Sequence, residues 1–120
     1  MLNTIKHILE ANEFMRLPKK MRRVVFYSEG RSYWPIFKGL IDGIIDYSEL
    51  NICYISSEKN DPGLEFNDNH FNSFFIGDSY VRNWFFENLK ADVMIMTMPD
   101  LNQYQVKRSK HPVHYIYVQH

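Results

Sequence analysis

The sequence predicts an α/β fold in which a mainly parallel, five-stranded Rossmann-like sheet carries helices on both faces. Short apolar runs alternate along the chain with segments at helical spacing, which is the pattern of βαβ units. The runs are nearly continuous rather than alternating, as expected for strands buried on both sides. Hydrophobic residues make up 45% of the 120 residues. That fraction supplies one core and excludes an intrinsically disordered chain.

The first segment, 1–22, is predicted to form a basic amphipathic leader helix ahead of a lobe that spans 23–120. Ile5, Ile8 and Leu9 follow helical spacing, and Pro18 closes the segment. Residues 1–23 carry six basic and two acidic side chains, whereas the rest carries eight basic and twelve acidic ones. A basic N-terminal segment ahead of an acidic remainder indicates attraction to an anionic membrane surface. A helix that only increases solubility explains this charge distribution equally well.

The first strand is predicted at 24–28, and the clearest helix of the chain follows it. Ser32 is the expected helix cap, with Pro35 in the first turn. Gly39 and Gly43 lie four residues apart and predict a close approach of this helix to the sheet. Its apolar face consists of Ile36, Phe37, Leu40, Ile41, Ile44 and Ile45.

Four further strands follow the first βα unit. They are predicted at 51–56, 71–76, 92–97 and 114–119. The Asp61-Pro62-Gly63 turn separates the second strand from the third. Asp78 or Ser79 is expected to cap a helix between the third and fourth strands.

Several classes of protein and site are excluded or disfavoured. A single cysteine, Cys53, lies in an apolar run, which predicts a buried strand thiol, no disulfide framework and a reducing compartment. No apolar stretch is long enough to span a bilayer, and no secretory signal is evident. We therefore expect a cytoplasmic protein, with peripheral attachment at the inner face of the cell membrane as a further expectation.

Common cofactor and nucleic-acid signatures are missing from the sequence. The histidines lack metal-ligand spacing, and no glycine-rich dinucleotide or phosphate loop is present, so we expect no metal and no cofactor. Nucleic acid is disfavoured as a partner, because the basic residues cluster at one end of an otherwise acidic chain.

The candidate site residues lie where predicted strands end. Ligands of open parallel sheets bind beyond the carboxyl ends of the strands. Ordinary turn chemistry explains each of these residues in isolation, so only their combination is informative. The residues are Ser28, Glu29, Gly30, Arg31, Ser56, Asp100 and His120.

Four segments together resemble the N-terminal lobe of the CDP-glycerol glycerophosphotransferase family, whose enzymes build poly(glycerol phosphate), teichoic acids and related surface polysaccharides. The segments are Tyr27-Ser28-Glu29-Gly30-Arg31-Ser32-Tyr33-Trp34-Pro35, Ile55-Ser56-Ser57, Val93-Met94-Ile95-Met96-Thr97-Met98-Pro99-Asp100-Leu101 and His111-Pro112-Val113-His114-Tyr115-Ile116-Tyr117-Val118-Gln119-His120. The resemblance implies a two-lobed, membrane-associated GT-B transferase. Its C-terminal lobe would bind CDP-glycerol, and this lobe would face a polymer or lipid-linked acceptor.

The resemblance also implies a role for His120, which matches the family's suspected general base; a purely structural histidine is the alternative. Glu29 and Arg31 lie in the loop after the first strand, where we expect them to orient the histidine and to hold a phosphate respectively. The remaining substrate contacts are expected from Ser28, Gly30, Ser56 and Asp100. The chain ends at the histidine of this motif, so we expect a lobe truncated at its C-terminal end and inactive alone.

A non-catalytic α/β interaction module is the alternative function. Five strands fit in about 120 residues, as in receiver-like domains. A phosphoacceptor receiver is disfavoured, because Ser28-Glu29 rather than an acidic pair follows the first strand. The sequence leaves open the acceptor, the polymer, the donor and the oligomeric state.

Overall fold

The computed structural model describes residues 2–97 and 108–119, and Asp100 and His120 lie outside them. Single 3₁₀ turns occupy Lys19–Met21, Arg31–Tyr33 and Pro62–Leu64. The helices and strands are, in chain order, α1 (Leu2–Met15), β1 (Val24–Ser28), α2 (Trp34–Tyr47), β2 (Ile52–Ser56), β3 (Phe71–Phe75), α3 (Tyr80–Asn88), β4 (Val93–Met96) and β5 (His114–Tyr117).

All five strands are parallel, in the order β3-β2-β1-β4-β5, which confirms the predicted α/β fold. β1 is central, and its Val24 is in register with Ile52 of β2 and Val93 of β4. The chain moves outward from β1 to β3 on one side, then returns to place β4 against β1 on the other. The strand order therefore reverses between β1 and β4, which is where sheets of this kind open a crevice for ligands.

Helices cover both faces of the sheet, as the sequence predicts. Successive strand residues point to opposite faces. Tyr27 and its neighbours on one face pack against Phe14 of α1 and Phe85 of α3. Phe26 and its neighbours on the other face pack against Phe37 and other residues of α2. The strands β1, β2 and β4 are therefore buried between the two apolar layers, whereas the edge strand β5 remains partly exposed.

The α1 helix packs directly on the edge strand β3. Phe14 of α1 is fully buried, and the Glu10 carboxylate accepts a hydrogen bond from the Phe75 backbone N–H at 2.9 Å. This bond satisfies a donor that an edge strand otherwise leaves open. The apolar residues Ile5, Ile8 and Leu9 instead point outward and are 47%, 45% and 62% exposed. A second apolar surface therefore remains on the outside of α1.

Two local expectations for α2 are wrong. Ser32 does not cap the helix, because the 3₁₀ turn at Arg31–Tyr33 intervenes and α2 begins at Trp34 without a side-chain cap. Pro35 does lie in the first turn. Gly39 and Gly43 make no close approach to the sheet, since a Cβ at either position would meet open space. The sheet instead packs against Phe37 and other large side chains of α2.

Cys53 is a buried residue of β2, as predicted. Its thiol donates to the Met21 carbonyl at 3.1 Å, and burial raises its pKa to about 12. Within residues 2–97 and 108–119, no helix has both the length and the apolar character needed to cross a membrane.

Candidate functional site

A hydrogen bond joins the two strands that flank the switch point of the sheet. Glu29 directly follows β1, and Thr97 directly follows β4. The Thr97 hydroxyl donates to Glu29 Oε1 at 3.2 Å. Thr97 is buried whereas Glu29 is exposed. The Thr97 hydroxyl therefore orients the Glu29 carboxylate. Because Glu29 is exposed, its other lone pairs can still accept hydrogen bonds from a ligand in solvent.

A second polar pair lies next to Glu29, on the face of the sheet that α1 and α3 cover. The Tyr27 hydroxyl and the Ser57 hydroxyl are 2.5 Å apart. Burial raises the pKa of Tyr27, while the hydrogen bond with Ser57 and the positive charge of Arg82 act in the opposite direction. The net shift is upward, so the phenol is protonated at neutral pH and remains a donor.

Arg82 supplies the positive charge of this cluster. It lies in the first turn of α3, where the helix dipole disfavours a cation. Within the described residues no carboxylate forms an ion pair with it, and its contact to Asn83 Oδ1 is long at 3.4 Å. Among the described residues its Nε is buried without a hydrogen-bond partner, although the guanidinium also hydrogen-bonds to the Tyr27 side chain. Buried donors are almost always paired, so the open Nε of this guanidinium points to an anionic ligand.

The loop after β1 is tied to the loop after β2 by Glu58. The Arg31 backbone N–H donates to Glu58 Oε1 at 2.6 Å, and the Arg31 guanidinium lies 3.8 Å from Oε2. The Ser28 hydroxyl donates to the Gly30 carbonyl at 2.8 Å, which shapes the same loop. Arg31, the expected phosphate contact, is thus an exposed residue whose nearest charged partner is Glu58.

Ser56 belongs to a buried network beneath the other face of the sheet. Its hydroxyl donates to Asp61 Oδ2 at 2.7 Å. The Tyr54 hydroxyl at 2.9 Å and the Gly63 N–H at 2.9 Å donate to the same carboxylate, which is 2% exposed. Burial raises the pKa of Tyr54, which keeps its proton for this bond. The network holds the end of β2 to the following turn.

The structure therefore brings only part of the predicted site together. Ser28, Glu29, Gly30 and Arg31 share one loop, Ser56 lies beside it with its hydroxyl directed at Asp61, and Asp100 and His120 fall outside the described residues. Sequence reasoning missed the residues that complete the cluster, namely Tyr27, Ser57, Arg82 and Thr97. An arginine in the first turn of a helix that follows a strand end was the signal available for Arg82.

The cluster combines a guanidinium, an exposed carboxylate and three hydroxyls, those of Tyr27, Ser57 and Thr97. We call these five residues the switch-point cluster. Such groups recognise a ligand that carries both a negative charge and hydroxyl groups. Among the described residues, no three histidine, cysteine, aspartate or glutamate side chains come close enough to hold a metal ion.

No protein-family model, no curated protein and no solved structure matches this chain.

Proposed function

We propose that this chain is the N-terminal, acceptor-side lobe of a CDP-glycerol-type glycerophosphotransferase that builds a cell-surface or capsular polymer. The observation that carries the proposal is the switch-point cluster, in which Arg82 and Glu29 supply opposite charges around Tyr27, beside the reversal of strand order. A poly(glycerol phosphate) end presents a phosphodiester and free hydroxyls. Arg82 complements the phosphodiester, and Glu29 accepts from a hydroxyl.

The proposed reaction transfers glycerol phosphate to the acceptor. An acceptor hydroxyl oxygen attacks the glycerol-bearing phosphorus of CDP-glycerol. A new P–O bond forms as the bond to the CMP phosphate oxygen breaks, and CMP leaves with the electron pair. The hydroxyl proton passes to a general base. His120 is proposed for that role, because an imidazole with a pKa of about 6.5 is matched to base catalysis at neutral pH.

The donor enters this proposal through a second lobe. The family resemblance assigns CDP-glycerol to a C-terminal lobe, so the 120-residue chain is expected to bind acceptor and to be inactive without that lobe. We place the enzyme in the cytoplasm, peripheral at the inner face of the membrane. The basic side chains of residues 16–23 and the exposed apolar residues Ile5, Ile8 and Leu9 support an anionic lipid surface as a partner.

The test is transfer from CDP-glycerol to a short oligo(glycerol phosphate) by the protein purified from its native gene. His120→Ala is expected to lower kcat by about 10²-fold or more. Arg82→Gln is expected to raise the acceptor KM by roughly tenfold, with a smaller effect on kcat. Lys38→Gln, an exposed change on α2 at the opposite face of the sheet, is the control. No CMP release by the unmodified protein contradicts the proposal, and normal activity of His120→Ala removes that residue from the mechanism.

A non-catalytic interaction module remains the second candidate, because α1 and α3 leave an apolar groove between them. A cavity of about 330 Å³ is lined there by Ile8, Ala11, Tyr80 and Trp84, together with other residues of the two helices. Tyr80 is 82% exposed and Trp84 is 44% exposed, and exposed patches of this kind mark interaction surfaces. Sedimentation discriminates between the two candidates: a self-contained module stays a defined monomer or dimer, whereas an isolated lobe self-associates as its concentration rises.

A further inference from the structure

A basic pocket lies at the amino edge of the sheet, opposite the switch-point cluster. It is a cavity of about 330 Å³ at the entry to β1, β4 and β5. We call it the amino-edge pocket. The charged and titratable residues in its walls are Lys19, Arg22, Arg23, Lys90, Asp92 and His111.

The pocket concentrates positive charge in a chain whose net charge is zero. Its walls hold four cationic side chains and one carboxylate. Asp92 neutralises little, because its contact to Arg23 is 4.0 Å long and both side chains are at least half exposed. Within the described residues, neither Lys19 nor Lys90 forms an ion pair. Lys110 adds a further cation in an adjoining cavity.

Arg22 is held in place without being neutralised. Its Nε donates to the Leu17 carbonyl at 3.0 Å, and its Nη1 donates to the Lys90 carbonyl at 2.9 Å. Both acceptors are neutral backbone groups, so the full guanidinium charge is retained. The remaining N–H groups of a fixed guanidinium are pre-organised for a bidentate anion, which lowers the entropy lost on binding.

The pKa of His111 depends on the charges around this pocket. Desolvation lowers its pKa, and the positive charges of Lys90 and Lys110 lower it further. Arg22 adds positive charge to the same two cavities, and Asp92 is the one described carboxylate in their walls. An anion bound among these groups stabilises the imidazolium, so binding must raise the pKa of His111.

We propose that the amino-edge pocket binds a phosphate-bearing anion, either a small phosphorylated molecule or a phospholipid headgroup. Its volume falls at the lower end of the roughly 300–1,000 Å³ typical of small-molecule sites. Arginine and lysine together are the usual ligands of phosphate oxygens. Trp84 and Met15 line the adjoining cavity, and they supply the apolar contact that a lipid source requires. The pocket lies at the amino edge of the sheet, whereas the switch-point cluster lies at the carboxyl edge. A test of anion binding in the pocket is therefore independent of the proposed function.

The first experiment is a pyrophosphate titration of the ¹⁵N-labelled 120-residue chain followed by NMR. We expect amide shifts around Arg22, Lys90 and His111 and a rise in the His111 pKa. Lys19→Gln combined with Lys90→Gln should weaken binding by at least about tenfold, because two cations are lost from one pocket. These lysines are exposed and their side chains make no ion pair within the described chain, so the double variant is expected to fold. Lys59→Gln, which removes a distant exposed charge, should bind like the unmodified chain.

The second experiment separates the two sources of phosphate. The chain is sedimented with phosphatidylglycerol vesicles and, in parallel, with neutral phosphatidylcholine vesicles. Binding to the anionic vesicles that is lost in the double variant identifies a lipid headgroup as ligand. Pyrophosphate binding without vesicle binding identifies a soluble phosphorylated molecule. The proposal is overturned if neither probe binds, if the double variant binds both as the unmodified chain does, or if the shifts map elsewhere.

Discussion

Removal of the Asp61 carboxylate is expected to destabilise the fold strongly. This buried side chain accepts hydrogen bonds from the Tyr54 hydroxyl, the Ser56 hydroxyl and the Gly63 N–H. Tyr54 and Ser56 are fully buried. In Asp61→Ala all three donors lose their common acceptor, and each buried unsatisfied group costs about 1–3 kcal/mol. Water entering the vacated space offsets part of this cost, so we expect a loss of about 3–5 kcal/mol.

Urea unfolding at neutral pH measures this loss directly. Linear extrapolation should give a lower free energy of unfolding with an unchanged slope. Asp61→Asn keeps one acceptor oxygen and should lose about 1–2 kcal/mol, which remains measurable if the alanine variant fails to fold. Asp42→Ala removes an exposed carboxylate paired with Lys38 and should change stability by no more than about 0.5 kcal/mol. A loss below about 1 kcal/mol in Asp61→Ala would refute the reasoning.

Three further predictions follow from buried or constrained positions. Burial raises the pKa of Glu10, so its ionisation costs folded-state stability as pH rises through that pKa. Glu10→Gln should therefore raise Tm at pH 7, with the gain vanishing below about pH 4, and a gain independent of pH would contradict this. Cys53, with its pKa raised to about 12, should resist a disulfide reagent at pH 8 until the chain is unfolded in urea, and rapid labelling of the native chain would count against its burial. Gly77 has φ of 74°, and a Cβ there would meet the His7 ring. Gly77→Ala should cost at least about 1 kcal/mol by urea unfolding, whereas Gly39→Ala, in open space on α2, should gain about 0.5–1 kcal/mol.

The element types were predictable because their patterns leave few alternatives. The run Val24–Ser28 is apolar except for its last residue, and the structure makes it a strand of that length. Strand ends were predicted too far along the chain elsewhere: Ile76 lies beyond β3 although it is buried and apolar. A residue can be buried without belonging to the hydrogen-bonded ladder of a strand. An apolar residue type predicts burial, but it does not predict membership in the ladder. The order β3-β2-β1-β4-β5 depends on long-range pairing that local pattern does not encode.

The candidate site was only partly predictable, for a geometric reason. Residues that follow parallel strands share one edge, so the loop from Ser28 to Arg31 was correctly placed there. The prediction of Ser56 rather than Ser57 as a site residue is not supported, because neighbouring strand residues face opposite sides of the sheet. Ser56 reaches Asp61, whereas Ser57 reaches Tyr27.

The residues that sequence reasoning missed come from distant segments. Arg82 enters the switch-point cluster from α3, outside every strand-end loop. The amino-edge pocket likewise joins residues 19–23 to Lys90 and His111. Their approach is a consequence of the parallel sheet, because its amino ends also meet at one edge. A basic N-terminal segment was visible in the sequence, but the cavity it lines was not.

The most direct test of the account is a ¹H–¹⁵N NMR titration of the chain with a short oligo(glycerol phosphate). We predict shifts at Glu29, Ser57, Arg82 and Thr97 that saturate with ligand. They should be lost in Arg82→Gln and retained in Lys38→Gln, an exposed change on the opposite face of the sheet. Absence of shifts at these residues, or equal binding by Arg82→Gln, would contradict the claim that the switch-point cluster recognises the acceptor.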